Sequence, residues 1–133
     1  MKIVLDTNVL ISGIFWGGKP YTIIEIWLNH RIQLFATKKI IKEYFVVLDR
    51  IDKSRKSAKK WQKYILENIH IINEKSFIKL SRDPKDDKFV NCAISANATY
   101  IVSGDNDLLE LKEIGKTKIL TPSAFIKVYE KMI

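Results

Sequence analysis

The stretch Ile3-Val4-Leu5-Asp6, near the start of the chain, is a short apolar run that ends at a carboxylate. A run of this length that is bounded by a polar residue predicts a buried β-strand. The same pattern returns far along the chain, where the apolar run 100–102 is followed by Asp105 and Asp107 in a tight turn. Folds that alternate strands and helices place their sites at the ends of strands. The two stretches therefore predict a sheet with acidic side chains at one edge.

The rest of the chain alternates between strand and helix patterns. Strands are predicted at 2–5, 33–36, 69–72, 100–103 and 118–120. Helices are predicted at 9–15, 21–30, 37–48 with Thr37 as its N-cap, 61–66, 87–97, 107–112 and 122–131. Such alternation is typical of a parallel sheet with helices on both faces. We therefore predict an α/β fold, a three-layer α/β/α sandwich in which residues 1–133 form a single domain.

The chain carries an excess of positive charge. It has 23 Lys and Arg against 15 Asp and Glu, a formal net charge of +8 at pH 7. This surplus favours a polyanionic partner such as RNA. The alternative is that the lysines only solvate the surface, and charge alone does not decide between the two. Because 47% of the residues are hydrophobic and 29% are charged, the composition excludes a disordered chain.

Three further features of the sequence bear on where the protein acts. The one cysteine, Cys92, excludes an internal disulfide and suits a reducing compartment. The N-terminal apolar run meets Asp6 too soon for a secretory signal. No apolar run approaches the roughly 18 residues that a membrane-spanning helix needs. We therefore expect a cytoplasmic protein without a membrane partner.

Glu43 adds a fourth position to the acidic pattern. At about 100° per residue, it lies at the border of the apolar face of its predicted helix. Snorkelling from that edge is one explanation, and helix capping explains Asp6, Asp87 or Asp107 taken singly. Capping does not explain why acids end two separate buried strands.

Because carboxylates at one edge repel one another, they need a positive charge between them. Mg²⁺ and Mn²⁺ prefer oxygen ligands, so the acids predict a site for such an ion.

Three segments of the chain together resemble a PIN domain. They are 3–10 (IVLDTNVL), 83–89 (DPKDDKF) and 100–109 (YIVSGDNDLL), and they occur in the family's order and spacing. The subgroup that the chain resembles most is the stand-alone bacterial and archaeal PIN proteins regarded as toxins of toxin–antitoxin systems. The resemblance implies a parallel sheet with strand order 3-2-1-4-5. In that order the first and fourth strands are neighbours at a topological switch point.

The resemblance also implies a set of site residues. Four acids would be catalytic and would bind the Mg²⁺ or Mn²⁺ ion: Asp6, Glu43, Asp87 and Asp105. A fifth acid, Asp107, would bind the ion through water. Asn8 and Ser103 match polar positions that support the acids in the family.

Two neighbouring acids compete for the third position of this set. Asp86 and Asp87 both stand at the predicted start of a helix. We choose Asp87 because three apolar residues follow it at the family's spacing: Phe89, Val90 and Ala93.

The family implies an endoribonuclease that depends on Mg²⁺ or Mn²⁺ and acts as the toxin of a pair. Its expected partners are RNA, a small antitoxin protein and a second copy of the chain, which would pack through the helices between Tyr21 and Leu48. The competing interpretation is a non-catalytic PIN-like module that binds RNA or protein. The presence of all four family acids favours the enzyme.

A second candidate surface lies in the middle of the chain. Its cations are Lys53, Arg55, Lys56, Lys59 and Lys60. We predict that this segment follows an RNA backbone and that Trp61 or Tyr64 stacks on a base. The alternative is a solvated helix face whose aromatic rings turn to the core.

Overall fold

The computed structural model describes residues 1–54, 56–80 and 83–133. Its strands are β1 (Lys2–Leu5), β2 (Gln33–Ala36), β3 (His70–Ile71), β4 (Tyr100–Val102), β5 (Glu113–Ile114) and β6 (Thr117–Leu120). Its helices are α1 (Thr7–Phe15), α2 (Gly18–Leu28), α3 (Lys38–Ile51), α4 (Lys56–Asn68), α5 (Asp87–Ala96), α6 (Asn106–Leu109) and α7 (Pro122–Met132). A short 3-10 helix, Pro84–Asp86, precedes α5.

The strands form a mostly parallel sheet flanked by helices, which confirms the predicted fold class. Their order is β3-β2-β1-β4-β6-β5. The neighbours from β3 to β6 all pair in parallel, so the predicted order 3-2-1-4-5 holds once β6 is counted as the fifth strand. The sequence prediction missed β5, which pairs antiparallel with β6 at the edge. A strand of two residues before a left-handed glycine, Gly115 with φ 57°, is too short to show an alternating pattern.

β1 lies inside the sheet, with β2 on one side and β4 on the other. Ile3, Val4 and Leu5 are at most 1% exposed. A strand that is buried on both faces needs apolar residues at every position, which is why this run does not alternate. Tyr44 on α3 is also buried, and its hydroxyl donates a hydrogen bond to the carbonyl oxygen of Leu5 at 2.5 Å. This bond fixes α3 against the carboxyl end of β1.

Helices α1 and α2 approach each other closely at Gly13. A Cβ atom there would lie 2.5 Å from Cγ1 of Ile24 and 2.7 Å from the carbonyl oxygen of Pro20. Real Cβ atoms essentially never approach other atoms within 3.0 Å, so the close contact between α1 and α2 requires glycine at position 13. This packing holds α1, and with it the residues that follow β1, in place.

Several element boundaries differ from the prediction. Helix α6 ends at Leu109 instead of residue 112, and Lys112 has a left-handed φ of 60° that does not continue a helix. Thr37 is the N-cap of α3, as predicted, but its side chain makes no capping hydrogen bond. Helix α4 begins at Lys56, before the predicted start, and buries Ala58 in its first turn. Within the described ranges, the helices are all too short or too polar to cross a membrane.

Candidate functional site

The register between β1 and β4 brings their carboxyl ends side by side. Leu5 is paired with Val102, so Asp6 and Ser103 follow at the same level of the sheet. The Ser103 hydroxyl donates a hydrogen bond to Oδ2 of Asp6, and the two side chains are buried. The first predicted acid and its supporting serine are therefore in direct contact at the switch point of the sheet.

Asp105 is connected to this pair through Ser103. The backbone N–H of Asp105 donates to the Ser103 hydroxyl oxygen at 2.9 Å. Oδ1 of Asp105 accepts from the N–H of Asp107 at 2.8 Å, and Oδ1 of Asp6 accepts from the N–H of Val9 at 2.9 Å. Both acids therefore cap the helix that follows them, which is the alternative that the sequence offered for Asp6 but not for Asp105. Oδ2 of Asp6 also accepts from Ser103, but each carboxylate oxygen has two lone pairs, so these hydrogen bonds are compatible with binding of an ion.

Glu43 reaches the same edge of the sheet from α3. The next residue, Tyr44, anchors α3 through its hydrogen bond to the carbonyl oxygen of Leu5, and this anchor sets the position of Glu43. Glu43 accepts a hydrogen bond from the Thr7 hydroxyl and forms an ion pair with Lys88, with 2.9 Å between Oε1 and Nζ. The side chain is 35% exposed and lines the cleft that contains Asp6 and Asp105. Glu43 thus does not lie on the outer face of its helix.

At the start of α5 the structure places Asp86, and not Asp87, in this cleft. Asp86 lines it together with Asp6 and Asp105. Oδ1 of Asp87 instead accepts a hydrogen bond from the backbone N–H of Leu80 at 3.2 Å, and Asp87 lines a neighbouring cleft. Side chains of adjacent residues at a helix start point about 100° apart, so only one of the two acids can face Asp105. The structure therefore brings Asp86, and not the predicted Asp87, into the cleft with Asp6 and Asp105.

Two more acids lie around Asp86. Asp83, Asp86 and Asp107 each offer a carboxylate oxygen within 4.8 Å of the others. Asp86 is 8% exposed, and among the described residues its buried Oδ2 atom has no hydrogen-bond partner. A buried polar atom without a partner is costly unless something binds it. Since the donor set consists of carboxylate oxygens, these residues fit a hard divalent cation such as Mg²⁺ or Mn²⁺.

The electrostatics of the acids agree with this fit. Burial raises the pKa of the Asp6 carboxyl above its ordinary range. Burial and, next, the negative charge of Asp105 raise the pKa of Asp86 to about 7. Both effects oppose the charged form, and a cation bound between the carboxylates would favour it. The acids are therefore held together at an energetic cost that a cation would offset.

Comparison with known proteins gives the family. Residues 2–107 match the family model described as the PIN domain. The chain belongs to the PIN domain family. An uncharacterized protein of Methanocaldococcus jannaschii is 29% identical over 147 aligned positions, which cover 100% of this chain and 94% of that protein. A chain in the crystal structure of VapBC2 from Rickettsia felis bound to a DNA fragment from their promoter has a similar fold, with a TM-score of 0.60, 16% identity and coverage of 90% of this chain and 97% of that one.

In this PIN domain, cationic side chains line the same cleft as the acids. The cleft has a volume of about 540 Å³. Its lining cations are Lys39, Lys42, Arg50, Lys85 and Lys88, and the exposed Asn8 lines it as well. Sequence analysis missed these cations. On α3 a signal was present, because Lys39 precedes Glu43 by four residues and Arg50 follows it by seven, which is the spacing of one helix face.

The segment that was predicted to follow RNA is separate from the PIN-domain cleft. In the part of the segment that the structure describes, the cations are exposed and do not line the cleft: Lys53, Lys56, Lys59 and Lys60. Arg55 lies outside the described residues. The Tyr64 ring packs edge-on against Trp27 at a centroid distance of 5.1 Å and lies 6.0 Å from Trp61. The two aromatic rings therefore pack on the protein, while RNA binding by the lysines stays a prediction.

Proposed function

We propose that this PIN domain is an endoribonuclease that depends on Mg²⁺ or Mn²⁺ and hydrolyses RNA phosphodiester bonds. The observation that carries the proposal is the unpartnered buried oxygen of Asp86, which lies among acids in a cleft that cations also line. The acids suit a divalent ion, and the surrounding lysines suit a polyanionic backbone. Together they would hold the RNA strand and the ion that activates water, neutralises the phosphate and stabilises the leaving oxygen.

The acids have distinct roles in this proposal. Asp6, Asp86 and Asp105 would hold the ion, and Asp107 would contact it through water. The bound ion would polarise the phosphate and make a water molecule more acidic. Glu43, whose side chain is 35% exposed, would orient the attacking water. No catalytic histidine is needed, because an ion at this site would lower the pKa of its bound water.

The lysines and the arginine of the cleft would bind the RNA backbone. Lys88 lies closest to the acids, 2.9 Å from Glu43, and would meet the phosphate that is cut. Lys39, Lys42 and Arg50 follow α3 away from that point and would hold neighbouring phosphates. Such contacts carry no base specificity, and their contribution to affinity falls as salt rises.

The test is cleavage of RNA in Mg²⁺ or Mn²⁺ by the wild type and by Asp6→Asn. Asparagine keeps the shape of the side chain and removes one formal charge, so metal binding should weaken and the rate should fall by orders of magnitude. Folding should be kept or improved, because the substitution removes like-charge repulsion. Equal rates for the two proteins in Mn²⁺ would refute the metal-nuclease mechanism, and a wild type that binds RNA without cutting it would leave the non-catalytic binding module in its place.

We further propose that the protein is a toxin that a small antitoxin protein neutralises. The fold is shared with a chain of VapBC2, which was crystallised with promoter DNA, and this similarity supports the role. Expression of the wild type alone should stop growth of a host cell, whereas Asp6→Asn should not.

We also propose that the protein forms a homodimer, in which two copies of the chain pack through the helices between Tyr21 and Leu48. A monomer by light scattering at micromolar concentration would remove that part.

A further inference from the structure

Phe77 is an aromatic side chain that the fold leaves in solvent. It is 75% exposed, more than any other large aromatic residue in the described ranges, where Trp16 follows at 66%. Burial of a phenylalanine side chain stabilises a folded protein, and the exposed Phe77 ring does not contribute this stabilisation. Ile78 and Leu80 of the same segment are also exposed, at 41% and 44%, and apolar side chains exposed together mark a surface that binds something.

The backbone on both sides of Phe77 is held by helix α5. The Asn91 side chain accepts a hydrogen bond from the N–H of Ile78 at 2.8 Å and donates one to its carbonyl oxygen at 3.0 Å. The Ser95 hydroxyl oxygen accepts from the N–H of Lys75 at 2.8 Å. Phe77 is therefore displayed on a backbone that is bonded to the fold immediately before and after it.

The cleft that Phe77 lines adjoins the proposed catalytic cleft. It has a volume of about 490 Å³, and it shares three cations with the catalytic cleft: Lys39, Lys85 and Lys88. Lys79 is a fourth. Two acids line it, of which Glu74 is paired with Lys39 at 3.5 Å and Asp87 accepts a backbone hydrogen bond. The surplus of cations around an exposed ring suits a ligand that combines negative charge with a flat aromatic group.

We propose that Phe77 stacks on an unpaired base of the RNA, adjacent to the phosphate that is cut. This inference rests on the proposed function and adds to it a residue that would hold a base of the RNA. An aromatic platform beside a cationic groove is how proteins bind single strands without sequence preference. A duplex keeps its bases stacked inside and offers none to the ring. The shared lysines would hold the phosphate that joins the stacked nucleotide to the catalytic cleft.

Binding is measured in the Asp6→Asn background, so that the RNA stays intact. The probes are a fluorescently labelled single-stranded RNA oligonucleotide and a duplex of the same length. Adding Phe77→Ala should weaken single-strand binding roughly five- to hundredfold, the range for loss of one stacked base. Phe77→Trp should keep the affinity. Phe77→Leu should lose it, because leucine keeps apolar area but has no aromatic face.

Trp16→Ala is the matched control, since Trp16 is also exposed but lines neither cleft. It should leave RNA binding unchanged, and Phe77→Ala should keep the wild-type unfolding midpoint because the ring is in solvent. In the active background, Phe77→Ala should raise KM and leave kcat unchanged. Full single-strand binding by Phe77→Ala or Phe77→Leu overturns the stacking site, as does an equal loss of duplex binding. A wild type that neither binds nor cuts RNA overturns the proposed function instead.

Discussion

The acidic cleft and helix α4 both concentrate charge, but burial gives the two sets of charges different consequences. Asp6 and Asp86 are 4% and 8% exposed, and loss of water raises the pKa of both carboxyls. The lysines of α4 stand in solvent, where water and salt screen their repulsion. Charge that the fold keeps out of water is the better marker of a site, because its burial opposes folding and carboxylates with raised pKa values cluster at functional sites.

The largest difference is expected between two neighbouring residues at the border of the cleft. Asp86→Asn removes a charge from the acidic group, so it should weaken Mn²⁺ binding and lower the cleavage rate by about a hundredfold or more, beyond the range for residues that only orient a ligand. Asp87→Asn keeps an oxygen that can accept from Leu80, so it should change both quantities little. Calorimetric titration with Mn²⁺ and cleavage assays measure the two effects.

The same two variants also test whether Asp86 or Asp87 binds the ion. Both variants are isosteric, both remove one negative charge, and the two positions adjoin in the chain. A larger loss of Mn²⁺ affinity in Asp87→Asn than in Asp86→Asn would restore the sequence-based choice of Asp87. Equal losses would show that net charge, and not position in the cleft, controls the ion.

A smaller difference is expected between the lysines of the two regions. Lys39→Gln with Lys42→Gln removes two cations from the cleft, and Lys59→Gln with Lys60→Gln removes two from α4. The cleft pair should flatten the salt dependence of RNA binding by about one unit of slope per lost phosphate contact. The α4 pair should do so less, because its lysines lie outside the cleft.

RNA affinity at several salt concentrations, measured in the Asp6→Asn background, separates these outcomes. The two double variants have the same net charge, so each controls for the general charge of the protein. A steeper loss for Lys59→Gln with Lys60→Gln would make α4 the principal RNA-binding surface, as the sequence alone predicted. The rate at saturating RNA should change little for the α4 pair in the active enzyme.

The sequence predicted what depends on burial and missed what depends on side-chain direction. Buried strands are short apolar runs, and the acids that end them could be recognised in β1 and β4 because the pattern is local. Whether Asp86 or Asp87 faces Asp105 depends on how α5 is rotated about its axis against the sheet. No local sequence pattern specifies that rotation. Segment 73–80 is placed by hydrogen bonds from α5, such as those of Asn91, so the cleft beside Phe77 was not predictable either.

The smallest expected effect concerns pH, and it comes from the cleft and not from α4. The folded pKa of Asp86 is about 7 against an ordinary value of 3.8, with burial as the main cause. Because the raised pKa favours the neutral form in the folded state, its stabilising contribution is complete below pH 3.8 and is lost as pH rises through about 7. The pKa of Asp6 is also raised by burial, so its contribution to stability likewise falls as pH rises.

Without metal, the unfolding midpoint of the wild type should therefore carry a component that falls between pH 4 and 7, and Asp86→Asn should lack most of it. Saturating Mn²⁺ should oppose this fall, because the ion binds the carboxylates only after they lose their protons, and its stabilising effect grows with pH. Lys59→Gln with Lys60→Gln should leave the slope unchanged. Thermal unfolding at pH 5, 6, 7 and 8, with and without Mn²⁺, measures all three proteins. If the slope of Asp86→Asn equals that of the wild type, the titration belongs to another group and the raised pKa of Asp86 does not describe the cleft.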